Sequence, residues 1–157
     1  MEINKTKTIL DPETIPKVDI DFMNKTHVEE LTIANDLGKH VSAFQDGKDT
    51  SDENIKTISD LLKKWLDHTI PHFERENQLM LETGFPAYQI HSEEHDIALN
   101  RFRTIISAWD DNQDIDLIAD FVFTLWPNWF NGHVNSMDMM TAKFAVMNGF
   151  DPQAILG

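Results

Sequence analysis

Five of the seven histidines in this chain fall on the same helical stripes as the residues that would form its core. His27 shares a stripe with Leu31, Ala34, Val41 and Phe44, and His72 with Ile58, Leu62, Trp65, Thr69, Glu76 and Leu79. His91 and His95 lie with Tyr88, Phe102, Ile105 and Trp109, while His133 continues the face of Ile118, Val122, Leu125 and Trp129. Apolar stripes of helical period face inward, so four helices each turn at least one imidazole toward a shared interior. A buried polar group without a partner costs roughly 1–3 kcal/mol. Five of them would remove much of the roughly 5–15 kcal/mol that stabilises a domain. A metal centre satisfies all five together.

The helices have their own boundary signals. The first is predicted from about Asn24 to Gln45, followed by the loop Asp46-Gly47-Lys48-Asp49. Thr50-Ser51-Asp52-Glu53 reads as a capping box, with the Thr hydroxyl and the Glu carboxylate satisfying free N–H groups. The second helix then runs to about Thr83, with a kink expected at Pro71 and a stop at Gly84 and Pro86. The third spans about Tyr88 to Trp109, and the fourth starts near Ile115, with a second kink expected at Pro127. A short last helix follows Asp138 and ends at Asn148-Gly149. No stretch alternates in the manner of a strand. The expected fold is all-α, an up-down-up-down four-helix bundle over residues 21–150, with an N-terminal arm (1–20) and a C-terminal tail (151–157).

Composition narrows the functions. The chain has 157 residues, enough for one domain, and a formal net charge of −14. That charge argues against nucleic acid and against an anionic membrane surface. The absence of cysteine excludes disulfides, thiolate catalysis and Cys-ligated zinc or iron–sulfur clusters. The N-terminus lacks the order of a signal peptide and no apolar run is long enough to span a bilayer, so a cytoplasmic location is expected.

The ligand spacings fit a metal site. His72-x-x-x-Glu76 and His91-x-x-x-His95 are four-residue pairs that project from one helix face. His133 and Asp138 are five apart, which on an ideal helix separates them by roughly 140°. The helix is therefore expected to end or unwind after Gly132, turning Asp138 back toward the site. Any one of these pairs is a weak signal; seven donors on four inner faces are a strong one. Five imidazoles and two carboxylates exceed one tetrahedral zinc and suit two first-row ions such as iron or manganese. The Glu-x-x-His motif of ferritin-like di-iron proteins does not occur. His40 lies off the first stripe, and His68, one turn before His72, reads as an interface residue or as a support for the site. Trp126, Trp129 and Phe130 read as core or as walls of a ligand pocket.

The order His27, His72-x-x-x-Glu76, His91-x-x-x-His95, His133-x-x-x-x-Asp138 resembles the hemerythrin pattern. Local wording agrees in His72-Phe73-x-x-Glu76, Leu79-Met80 and Gly84-Phe85-Pro86-x-Tyr88. The resemblance covers roughly residues 22–145. It implies an oxo- or hydroxo-bridged di-iron centre. His91, His95 and His133 would hold one iron, and His27 and His72 the other, which keeps an open position. Glu76 and Asp138 would bridge them, and dioxygen would bind reversibly at the open iron. The chain departs from the family pattern before His27, at Asp19-Ile20-Asp21-Phe22-Met23-Asn24.

The function expected from this is carriage, storage or delivery of dioxygen, a binding role more than an enzymatic one. The alternatives are a redox enzyme or sensor handling peroxide or nitric oxide, and an iron store. A reductase or an oxygen-consuming enzyme is the protein partner these readings admit.

Overall fold

The computed structural model describes residues 9–156. Helix α1 is Asp21–Gln45, α2 is Asp52–Thr83 and α3 is Tyr88–Asn112. A fourth rod, residues 115–147, is built from α4 (Ile115–Asp120), α5 (Trp126–His133) and α6 (Met139–Met147). Two wide π-helical turns, Phe121–Leu125 and Val134–Asp138, join these pieces. No strand occurs among the described residues.

The helix ends depart from the sequence reading by a few residues, each for a local reason. Helix α1 starts at Asp21 rather than Asn24. Asn24 looks like a helix start because its side chain can cap. Instead it accepts from Val18 N–H and donates to the Val18 carbonyl, both at 2.8 Å, from inside the first turn. At α2 the cap is Ser51, not Thr50: the Ser51 hydroxyl accepts from Asn54 N–H at 3.2 Å. Gly84 ends α2 at φ +72°, where a side chain would be strained. Helix α3 continues to Asn112, one turn beyond Trp109.

The larger correction lies in the fourth rod. The expected stripe placed Leu125 and Trp129 inside, but Leu125 is 48 % exposed, and Trp126 and Phe130 are buried instead. A π turn takes up one residue more than an α turn, so Phe121–Leu125 shifts the inward face by one position. This turn lies just before Pro127, which has no N–H to donate and whose ring crowds the carbonyl four residues back. Of the two outcomes expected after Gly132, an end or an unwinding, the rod does not end: it widens into the π turn Val134–Asp138 and continues into α6.

The core runs between the four rods. Trp65, Trp109 and Phe102 are its largest fully buried side chains. Trp65 packs edge-on against Phe102 at 4.6 Å and Trp126 at 4.8 Å. Both flanking segments are tied to the bundle. Ile9 N–H donates to Asn35 Oδ1, and Asn35 donates to the Leu10 carbonyl. The Pro152 carbonyl accepts from Asp21 N–H at 2.9 Å. Residues 1–8 of the expected arm, and residue 157, lie outside the described residues.

Candidate metal centre

All seven residues singled out in the sequence meet in one buried cluster, each no more than 4 % exposed. His27 comes from the start of α1, His72 and Glu76 from the second half of α2, His91 and His95 from the start of α3. His133 closes α5 and Asp138 closes the second π turn. A π turn closes hydrogen bonds to the fifth residue rather than the fourth. Five residues are therefore about one turn there, and His133 Nε2 lies 3.1 Å from Asp138 Oδ1.

The donors form two groups. In the first, His133 Nε2 lies 3.1 Å from His91 Nε2 and 3.2 Å from His95 Nε2. Asp138 Oδ1 is 3.0 Å from His91 Nε2, and Glu76 Oε1 is 3.1 Å from His95 Nε2 and 3.4 Å from His91 Nε2. In the second group, His72 Nε2 is 2.8 Å from Glu76 Oε2 and His27 Nε2 is 2.9 Å from Asp138 Oδ2. Each carboxylate thus gives one oxygen to the three-histidine group and the other to the two-histidine group.

These residues fit cations. An ion with bonds of about 2.1 Å holds octahedral neighbours about 3.0 Å apart, close to the spacing of the first group. Glu76 Oε1 and Asp138 Oδ1 are buried without a hydrogen-bond partner, a costly condition for carboxylate oxygens. Three imidazoles also have their far nitrogens occupied: His91 Nδ1 pairs with Thr141 Oγ1 at 2.8 Å, His95 Nδ1 with Asn77 Oδ1 at 2.9 Å and His133 Nδ1 with Glu94 Oε1 at 3.0 Å. Such contacts fix a ring with Nε2 directed at a metal.

The electrostatics point the same way. Burial works against charge on every histidine here. It is outweighed at His72 and His133 by the carboxylates beside them, Glu76 with Glu30 and Asp138 with Glu94, which hold both imidazoles at about 10. His95 is pushed below its ordinary value by burial, with His91 and His133 also opposing its charge. Glu76 and Asp138 stay ionised despite burial because imidazoles surround them. Without metal, protons supply the positive charge that the carboxylates require.

The sequence reading missed Glu30, Asn77, Glu94 and Thr141. Asn77 and Glu94 adjoin Glu76 and His95, and Glu30 and Thr141 lie three residues after His27 and Asp138, but only the packing shows which nitrogen each meets. His68, read first as an interface residue, bonds through Nδ1 to Glu30 Oε2 at 2.6 Å. His40 is structural: its Nδ1 meets Asn54 Oδ1 at 3.1 Å, tying α1 to the start of α2. Aromatic rings wall the cluster. Phe73 stacks on His95 at 4.0 Å, Trp129 on His133 at 4.5 Å, and Phe130 meets His27 edge-on at 5.6 Å. No helix among the described residues is long and apolar enough to cross a membrane.

Residues 18–145 match the family model described as hemerythrin HHE cation binding domain. Among curated proteins, the chain is similar to a bacteriohemerythrin of Aquifex aeolicus (strain VF5), 27 % identical over 135 residues, 86 % of this chain and 96 % of that protein. A bacteriohemerythrin of Ralstonia nicotianae (strain ATCC BAA-1114 / GMI1000) is 34 % identical over 90 residues, 57 % of this chain and 64 % of that protein. Another, of Stenotrophomonas maltophilia (strain R551-3), is 24 % identical over 125 residues, 80 % of this chain and 74 % of that protein. No solved structure gives a significant match.

Proposed function

This chain belongs to the hemerythrin family, and from that premise we propose that it is a non-haem di-iron protein that reversibly binds dioxygen. His91, His95 and His133 would hold one iron, His27 and His72 the other, and Glu76 and Asp138 would bridge the pair. The observation that carries this reading is the division of carboxylate oxygens, Oε1 and Oδ1 toward three imidazoles, Oε2 and Oδ2 toward two. The two-histidine side offers one imidazole fewer, which leaves room for an exogenous ligand. Bound iron would supply reversible electron transfer to dioxygen at that open position.

The residues of the chain supply the surroundings. Thr141, Asn77 and Glu94 orient the three imidazoles of the first group. Phe73, Trp129 and Phe130 pack around the cluster and limit the access of water, which favours release of the ligand unchanged over hydrolytic loss. Neutral imidazoles donate less charge than additional carboxylates would, a ligand set that favours binding over oxygenase chemistry.

An optical titration tests the proposal. The iron-loaded protein is reduced without oxygen, exposed to oxygen, and then deoxygenated. A charge-transfer band that appears and then vanishes supports reversible binding. Immediate conversion to a stable ferric form, or accumulation of peroxide, would move the function to redox enzymology or sensing on the same centre.

A further inference from the structure

Glu30 is a carboxylate 2 % exposed, and the metal site proposed above does not use it. Its Oε1 accepts from Trp65 Nε1–H at 2.8 Å and from the Thr69 hydroxyl at 2.6 Å. Its Oε2 takes His68 Nδ1 at 2.6 Å and lies 3.5 Å from His72 Nδ1. Burying an ionised carboxylate costs several kcal/mol, and the ionisable groups facing Glu30 are imidazoles rather than lysine or arginine. Packing alone does not require an anion here.

The four other cluster histidines show what Glu30 is placed to do. His91, His95 and His133 each have a hydrogen-bond partner on Nδ1, whereas His27 Nδ1 and His72 Nδ1 have none; the carboxylate oxygen that faces His72 Nδ1 is Glu30 Oε2, at 3.5 Å. The two-histidine group therefore has one candidate for the acceptor that orients a metal-bound imidazole, and it stands behind His72. We infer that Glu30 is a positioning residue for the two-histidine metal. Clamped by Trp65, Thr69 and His68, it stands 3.5 Å from His72 Nδ1, where a small rotation of that ring lets it accept the Nδ1–H, fix the tautomer that presents Nε2 to the ion, and strengthen that imidazole as a donor. Partners of this kind are worth roughly 10–100-fold in metal affinity. The inference rests on the two-metal reading and adds a residue to one side of it.

The test is a titration of the metal-free protein with Co²⁺, followed optically, for wild type, Glu30→Gln and Glu94→Gln. Wild type should bind two ions per chain. Glu30→Gln should weaken one of them by about tenfold or more and leave the other unchanged. Glu94→Gln, which replaces the carboxylate partner of His133 with a neutral amide, should weaken the opposite ion. In the zinc-loaded protein, the hydrogen-bonded His72 Nδ1–H resonance should be present in wild type and move upfield in Glu30→Gln; a merely structural role would leave it in place. If Glu30→Gln does not fold, Glu30→Asp keeps the charge but withdraws the carboxylate by about 1.5 Å, and should weaken the same ion alone. Unchanged affinity for both ions, or equal weakening of both, overturns the inference while the two-metal reading stands. A wild type that takes up a single ion overturns both.

Discussion

His133 and Asp138 are five residues apart, yet His133 Nε2 and Asp138 Oδ1 meet at 3.1 Å because Val134–Asp138 forms a π turn. A π turn is geometrically an α turn with one added residue. Deleting the exposed Asn135 should close it to an ordinary turn and leave His133 and the aspartate four apart, the spacing of His72 and Glu76. The deletion variant is expected to retain its metal content by elemental analysis. An alanine inserted after Asn135 is expected to lose metal, because it swings the aspartate off the inner face.

Removing a ligand should be far more damaging than removing a wall. On the proposed assignment, in which both ions would share Glu76 and Asp138, His72→Ala and His91→Ala are each expected to lower iron from about two per chain toward less than one. Phe130→Leu, which alters the ring against His27, should keep the iron and change the rate of oxidation in air. Iron content unchanged in both histidine variants would refute the ligand assignment.

The metal-free protein should respond to pH through its own histidines. His72 and His133 are held at about 10 against an ordinary 6.5. A raised histidine stabilises the fold fully below the unfolded value and loses that contribution as pH rises through the folded value. Melting temperature is therefore expected to fall between about pH 6.5 and about pH 10. Glu76 and Asp138 are depressed, so their contribution is present above about pH 4 and is lost on further acidification. Metal requires neutral imidazoles, so the stabilisation gained from added metal should grow over the same alkaline window. Thermal scans with and without metal at about pH 6 and about pH 9 compare the two.

Trp65→Phe removes the indole N–H that Glu30 accepts inside the core. Hydrogen bonds to charged groups are worth about 1.5–3 kcal/mol, and a loss of that size is expected in urea unfolding.

Ser51→Ala removes the side-chain cap of α2, at the far end of that helix from Glu76. A loss of about 1 kcal/mol is expected, with metal content unchanged.

The sequence by itself determined the all-helical class, four amphipathic rods and the seven residues that meet in the buried cluster. Those properties are local: spacing along a helix decides which residues share a face, and hydrophobicity decides which face turns inward. His72 with Glu76, and His91 with His95, could be paired on spacing alone. The tertiary structure decided what spacing cannot express. Two π turns shifted the fourth rod, turning Leu125 outward and Trp126 and Phe130 inward, and bringing Asp138 onto the face of His133. Their formation depends on contacts with the other rods as well as on local preference. The partners behind the imidazoles also waited for the fold. Glu30 reaches His68 across 38 residues and Thr141 reaches His91 across 50. Which carboxylate or hydroxyl stands behind which nitrogen is a matter of helix rotation to within a few ångströms, and only packing between helices sets that rotation.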